Sequence, residues 1–421
     1  MPDWMPDFVT PQLAASLVVI LVIIHLLLGA AAYLILLERK ICAWVQDRIG
    51  PNRVGPLGLL QPIADSIKLV VKEDYTPKGA DRVLFIIAPG LTAITALIAF
   101  AVVPWAGELQ TAAGTVRIIA ADVPIGIIYL VAVASLGVYG VVLGGWASNN
   151  KYSFIGSLRA SAQMVSYEIP MGLAILAVIL TAGTVRPYEM ISQQLDGQWF
   201  LLHQPVAALI FYVCLLAEGN RAPFDLAEAE SELVGGWHTE YSSMKWTLFF
   251  LGEYVHMTVG GAFFVLLFLG GFSINPLFGA DLPLAGGLGL ILLQAGIFLT
   301  KVFAIIFLTM LIRWTLPRFR FDQLMRLAWE GMIPTAMLML LVTSLFVYLG
   351  LVAAGWMWAG SLAVVLVVWA VRPLMPGQAR RNHRVPLIGS RFSPLRERDA
   401  AMGAAKPLAS PDVAGPDSIA P

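Results

Sequence analysis

Apolar residues in this chain come in long blocks separated by short polar breaks. The blocks fall near residues 11–37, 83–104, 123–146, 162–183, 203–217, 246–272, 285–312, 331–352 and 355–371. Most are long enough to cross a hydrocarbon layer of about 30 Å as a single helix, which takes roughly 20 residues. The fifth is short for a crossing, and a tight Gly-rich turn joins the last two, so eight crossings is the alternative to nine. One segment has a different period. In GLLQPIADSIKLVVKEDY (58–75) the apolar residues Leu60, Ile63, Ile67, Val70 and Val71 recur at helical spacing, with Asp65, Lys68, Lys72 and Glu73 elsewhere around the helix. That pattern predicts a helix lying along the membrane surface.

Composition agrees: 58% of the 421 residues are hydrophobic and only 13% charged, well beyond the roughly 45–50% apolar share of soluble domains. The expected fold class is all-α, a polytopic membrane helix bundle of about nine transmembrane helices with a cytoplasmic interfacial amphipathic helix. Residues 1–375 form the transmembrane domain, and 376–421, rich in Pro, Ala, Ser and Arg without periodicity, form a disordered cytoplasmic tail. No Lys or Arg precedes the first block, so it reads as a retained span, not a signal peptide.

Charge placement sets an expected orientation. Of the 27 Lys and Arg, Arg117 and Arg186 fall after even-numbered blocks and Lys301 within a block; all the others follow odd-numbered blocks or lie in the tail. Cytoplasmic loops are the basic ones. This puts the N-terminus outside and the C-terminus in the cytoplasm, and it favours nine spans over eight. A bacterial plasma membrane is the expected location. Net charge is zero, so nucleic acid is not an expected partner, whereas membrane lipid is.

Candidate chemistry lies in the carboxylates. AEGNRAPFDLAEAESELVGGWHTEY (217–241) carries Glu218, Asp225, Glu228, Glu230, Glu232 and Glu240. A solvated acidic loop would account for it, but the acids continue into the spans: Glu168 in the fourth and Glu253 in the sixth, each about two turns inside. Ionisable residues at such depth cost a few kcal/mol on insertion scales and mark functional positions. If DLAEAESELV is helical, Glu228 and Glu232 share a face and their repulsion raises their pKa values towards neutrality. Glu253 and His256 share a helical face at i, i+3. Lys301, at the middle of the seventh span, reads as a member of a buried acid–base pair or relay.

Other chemistries find no support. Cys42 and Cys214 are far apart and outside any CxxC or Cys–His spacing, so no metal and no iron–sulfur cluster is expected. His25 and His256 differ in depth, which leaves no haem site and makes His25 a packed, hydrogen-bonded core residue. No phosphate loop or dinucleotide fingerprint holds a nucleotide or flavin. Electron carriers are therefore expected on other chains.

Four blocks carry a specific likeness. LLERKICAWVQDRIGPNRVGPLGLLQPIADSIKLVVKE (36–73), GWASNNKYSFIGSLRASAQMVSYEIP (145–170), AEGNRAPFDLAEAESELVGGWHTEYSSMKW (217–246) and RWTLPRFRFDQLMRLAWEGMIP (313–334) resemble the family of H subunits of respiratory NADH:quinone oxidoreductase, complex I, over about residues 15–350. The resemblance implies a translocase component without a redox centre, which forms the quinone-access chamber and couples quinone reduction to proton pumping through an acidic funnel. Its substrate would be ubiquinone or menaquinone. Its partners would be other membrane-arm subunits and the peripheral-arm subunits carrying the terminal iron–sulfur cluster and the quinone headgroup site. Carried over by motif, Glu168, Glu218, Glu228, Glu230, Glu232 and Glu253 fall on the funnel. Glu38, Arg39, Asp65, Arg221, Asp225, Arg313, Arg320 and Asp322 would line or brace the quinone chamber. Two features depart from the family: the ninth span with its tail lies outside the common core, and the third span, 125–142, lacks the acid that some relatives place there. Three other functions stay open: a component of a related membrane-bound hydrogenase, an autonomous proton-coupled transporter, for which no internal repeat is found, and a structural anchor.

Overall fold

The computed structural model describes residues 10–111, 114–275 and 282–371; the expected tail, 376–421, lies outside them. Among the described residues, nine long or apolar helices build the bundle: α1 Pro11–Val45, α2 Arg82–Val102, α3 Gly126–Ala147, α4 Lys151–Ala182, α5 Pro205–Glu218, α6 Ser243–Phe268, α7 Leu288–Thr315, α8 Phe321–Tyr348 and α9 Ala354–Val371. Local chemistry starts several of them. Thr10 caps α1 by accepting from the Leu13 N–H ahead of Pro11, Asp81 caps α2 from Val83 and Leu84, and Asn150 caps α4 from Tyr152. Gly183, at φ 66°, closes α4 in the left-handed conformation that costs glycine least.

Among the described residues, eight of these helices are long and apolar enough to cross a membrane, and α5 is a shorter apolar helix. Whether α5 crosses is settled by what its ends touch. The first end of the bundle gathers the start of α1, the α2–α3 connection, residues 184–204 and the start of α7. Gln12 bonds the Arg117 backbone both ways at 3.1 and 2.9 Å, β1 (Glu108–Thr111) pairs with β2 (Gly114–Arg117) and with β3 (Ala285–Gly286), and Gln194 bonds the Leu266 carbonyl. The opposite end gathers the α1–α2, α3–α4, α5–α6 and α7–α8 connections. The Asp81 N–H reaches the Ala147 carbonyl, Lys245 reaches Thr76, Asn150 reaches Glu240, and the Phe319 N–H reaches the Pro223 carbonyl. Residue 204 therefore belongs to one end and residue 219 to the other, so α5 traverses the bundle in 14 residues. The alternation expected for nine spans holds.

Helix ends differ from the apolar blocks where a helix continues through polar positions. Helix α1 runs to Val45, and at roughly 1.5 Å per residue its 35 residues span about 52 Å, which takes Glu38, Arg39 and Lys40 beyond a hydrocarbon layer. Helix α4 begins at Lys151, eleven residues before its apolar block, because Ser153, Ser157 and Gln163 face protein and are buried there. Glu168 consequently lies mid-helix, not two turns in. Helix α8 likewise starts at Phe321 and passes through a π-helical turn, Leu327–Met332, before Pro334.

The surface helix is present at Gln61–Val71, tied to the start of α6 by Ser243 Oγ, which donates to the Leu69 and Lys72 carbonyls. Its Ile63, Ile67, Val70 and Val71 side chains are exposed, as a membrane-facing stripe requires. Helix α9 folds back on α8, where Gly360 lies against Val342 and Phe346. His25 is corrected: it is exposed on α1 and bonds only the Leu21 carbonyl of its own helix.

Candidate functional site

The tight turn after α5 sets up the site. Asn220 takes a left-handed φ of 47°, the Arg221 N–H bonds back to the Leu216 carbonyl, and the buried Gln163 amide on α4 donates to the carbonyls of Ala217 and Phe224. This turn drives Arg221 inward until its side chain is only 3% exposed. There one guanidinium nitrogen lies 2.8 Å from Glu38 on α1 and another 2.8 Å from Glu253 on α6. The contact from Nε to Glu253 is an ion pair by distance without hydrogen-bond alignment, so Nε and Nη2 both have no hydrogen-bond partner. The guanidinium also lies 4.4 Å over the Tyr254 ring, and Tyr254 donates to Glu38 at 2.7 Å. Arg313 on α7 closes on the other Glu38 oxygen. Burial works against the charge of Arg221, but Glu253 and Glu38 outweigh it and hold the pKa above the ordinary arginine value. Arg221 is therefore a permanent cation, tied directly to acids on α1 and α6 and through Glu38 to α7.

Beyond this hub opens a cavity of about 230 Å³ between α2, α3, α6 and the 219–242 connection. Glu218, Glu228, Glu253, His238 and His256 line it together with Trp237, Trp246 and Phe249. Two of its acids face histidines: Glu218 lies 3.7 Å from His256 and Glu228 3.8 Å from His238. Glu168 approaches from α4 and accepts a hydrogen bond from Ser135 on α3. A span without an acid thus still contacts the acidic chain, through a hydroxyl.

The 219–242 connection is not the continuous helix that would put Glu228 and Glu232 on one face. Helix is confined to Glu230–Leu233, and Glu228 turns to His238 while Glu232 turns outward to Arg159 at 2.5 Å. Gly236 dictates that path: at φ 63°, any Cβ would run into the Ala227 carbonyl, so only glycine lets the two arms of the connection touch. Trp237 then packs edge-on to Phe249 at 4.4 Å, and Tyr241 stacks on Phe85 at 4.0 Å. Burial and the Glu228 charge push Asp225 up to about 6, against the pull of Arg318 at 2.9 Å. Burial lowers His238, but the attraction of the Glu228 carboxylate 3.8 Å away prevails and leaves it raised. The side chain of Glu230 lies outside the described residues.

On the other side of Phe250 lies a mainly apolar cavity between α1, the surface helix and α6. Ala32, Ile35, Leu36, Pro62, Leu69 and Leu251 line it, with the Arg39–Asp65 ion pair, 2.7 Å, at its wall. An adjoining cavity shares Ile35, Arg39 and Phe250 and ends on Glu38, Tyr254, Arg313 and Trp314. The buried Trp314 Nε1, beside Arg313, has no hydrogen-bond partner. The hub thus separates an apolar passage from an acidic cavity, with Glu38 on one side, Glu253 on the other and Arg221 between them.

Three sequence candidates stand apart. Arg320 and Asp322 are exposed at the start of α8. Lys301 on α7 donates to the Leu269 and Ser273 carbonyls and lies 4.1 Å over the Trp199 ring, at the end of α6 remote from Glu253. Tyr254, Gln163, His238, Arg159, Arg318, Ser135 and Trp314 are site residues that the sequence does not single out. Only Tyr254, beside Glu253, and His238, within the acidic stretch, carry any local signal.

The family model for NADH dehydrogenase matches residues 17–344. The H subunit, number 1, of the NADH-quinone oxidoreductase of Cytophaga hutchinsonii is 45% identical over 331 residues, 77% of this chain and 94% of that protein. Its namesake in Geobacter metallireducens is 45% identical over 332 residues, covering 79% and 96%. The H subunit of the NADH-quinone oxidoreductase of Flavobacterium psychrophilum is 44% identical over 328 residues, covering 78% and 95%.

Proposed function

The chain belongs to the NADH dehydrogenase family, and on that premise we propose that it is the H subunit, in the membrane arm, of a proton-translocating NADH:quinone oxidoreductase, providing the quinone passage and the first acids of the proton path. The observation that carries this reading is the hub itself: Arg221 bonded to Glu38, which faces the apolar passage, and paired with Glu253, which faces the acidic cavity. A quinone tail finds apolar walls between α1 and α6, and its headgroup carbonyls find Arg313.

Reduction of a quinone to a quinol consumes two protons, and the charge change is felt at Glu38. Because Glu38 and Glu253 compete for one cation, a proton gained by either carboxyl hands Arg221 to the other. That exchange shifts the charge balance of Glu253, and through the cavity that of Glu228 and Glu218. A 230 Å³ cavity has room for roughly seven waters at about 30 Å³ each, enough to connect these carboxyls. Glu168, Glu218, Glu228 and Glu253 are the proton-carrying acids in this reading, with Glu230, Glu232 and Asp225 on the connection that bounds them and Lys301 as a charge further along the membrane arm. Arg39, Asp65, Arg320 and Asp322 brace the passage and its mouth. The basic end of the bundle faces the cytoplasm of a bacterial cell, where partner subunits with the electron carriers dock.

Glu253→Gln and Glu232→Gln, compared in membranes at equal enzyme content, test the reading. Glu253→Gln is expected to abolish coupled proton translocation and depress quinone reduction, with a milder effect from the outward-facing Glu232→Gln. Undiminished turnover and pumping in Glu253→Gln would leave only a structural anchor, and proton transport by the isolated chain would indicate an autonomous transporter.

A further inference from the structure

His256 is the one titratable side chain lining the acidic cavity through α6 that neither the pairing of acids with arginines nor the family resemblance accounts for. It follows Glu253 at i+3, yet its contact crosses to α5, where Nε2 lies 3.7 Å from the Glu218 carboxylate. That distance exceeds a hydrogen bond and is close enough for strong charge interaction. The nitrogen is sealed from solvent and has no hydrogen-bond partner. A buried, unpartnered imidazole nitrogen costs free energy, and a proton shared with the Glu218 carboxylate gives it a partner.

We propose that His256 is a proton-carrying residue of this path, exchanging one proton with Glu218. In the transfer the Nε2–H bond breaks and an O–H bond forms on the Glu218 carboxylate. Imidazolium becomes imidazole, carboxylate becomes carboxylic acid, and the pair stays neutral overall. The groups that face this exchange are Glu218 from α5, Glu253 with Arg221 from the hub, and Glu228 with His238 from the 219–242 connection; Glu168 of α4, held by Ser135, feels the charge of Glu218. Thr92 and Thr95 of α2 and Asn220 of the connection are uncharged polar neighbours. The inference rests on the acidic cavity being the proton path, and its role is separable because His256 lines neither of the cavities assigned to quinone.

His256→Asn and His256→Gln in the complete membrane-bound enzyme provide the test, with assembled enzyme counted by NADH oxidation with ferricyanide. Proton translocation and quinone reduction are followed over about pH 5.5–8.5, a range that brackets the ordinary histidine ionisation. Both variants are expected to show coupled turnover at least about tenfold lower across that range, with an unchanged KM for quinone. Coupled turnover unchanged in both variants, while Glu218→Gln and Glu253→Gln abolish translocation, would overturn the role of His256 and leave the proton path intact. Translocation preserved in all four variants would overturn the path itself. If neither histidine variant assembles, isotope-edited infrared difference spectra of wild-type enzyme with labelled histidine decide. Ring bands that shift between oxidised and reduced states support the inference, and unchanged bands overturn it.

Discussion

Two arginines in this protein have nearly the same partners and opposite surroundings. Arg117, at the first end of the bundle, lies between Glu108 at 3.1 Å and Asp122 at 2.5 Å and 4.6 Å over the ring of Tyr188. Arg221, at the hub, lies between Glu38 and Glu253, both at 2.8 Å, and 4.4 Å over the ring of Tyr254. The Arg117 side chain is 40% exposed and that of Arg221 is 3% exposed. Water screens the first cluster, so proton movement at one acid is barely felt at the other. The second has no such screen, and its two acids are coupled through the cation they share. In the proposed function, a shared cation passes charge between its acids because solvent is excluded from it.

The comparison breaks most directly at Arg221. Arg221→Met strands Glu38 and Glu253 in the interior, a loss of about 3–5 kcal/mol; the expected outcome is failed assembly and no quinone reduction, read from the enzyme content of membranes. Next comes Gly236→Ala, which imposes a Cβ at positive φ against the Ala227 carbonyl. Strain of at least about 1–3 kcal/mol should displace Glu228 and His238, measured as increased hydrogen exchange across 219–242 and reduced coupled turnover.

A pH effect sharpens the contrast within the connection itself. Asp225 is raised from 3.8 to about 6, so the folded connection binds a proton more tightly than the unfolded chain. That stabilisation is complete below the unfolded value near 3.8 and is lost as pH rises through about 6. The raised His238 adds to it in the same direction, its contribution fading as pH rises through a folded value above 6.5. Exchange protection of 219–242, corrected for intrinsic rates, should therefore fall from acid to neutral pH. Asp225→Asn should flatten the acid part of that fall, a difference on the order of 1–3 kcal/mol after the lost Arg318 bond is offset. The smallest effect belongs to Arg117→Met, at about 0–1 kcal/mol, with unchanged pumping and a thermal midpoint close to wild type; a loss as large as that at Arg221 would erase the distinction between the two clusters.

Spans are legible in the sequence where apolarity and helix coincide, as in α2, α3 and α6. They are cut short where a helix keeps its backbone but changes partners. Lys151 to Ser161 continues α4 because its polar faces meet protein, and hydropathy registers polarity without knowing what lies opposite. In the candidate site, Glu168, Glu218 and Glu253 stand out because charge within apolar runs is costly. Their partners do not. Glu38 and Arg221 are 183 residues apart and Arg159 and Glu232 73 apart, separations over which no local period operates. Acid spacing also misleads at Glu228 and Glu232, because helix periodicity does not extend across a connection whose path is set by Gly236. Alternation of ends is legible from Lys and Arg placement, and α5 shows why it outperforms length: 14 residues cross when the rest of the bundle holds both ends.

The direct test of coupling through the hub is the infrared difference spectrum of reduced minus oxidised enzyme in wild type, Glu253→Gln and Arg117→Met. A carboxylic-acid carbonyl band that appears or vanishes with quinone reduction in wild type, persists in Arg117→Met and is lost in Glu253→Gln is the predicted result. A wild-type spectrum in which no carboxyl changes protonation between the two redox states would contradict it.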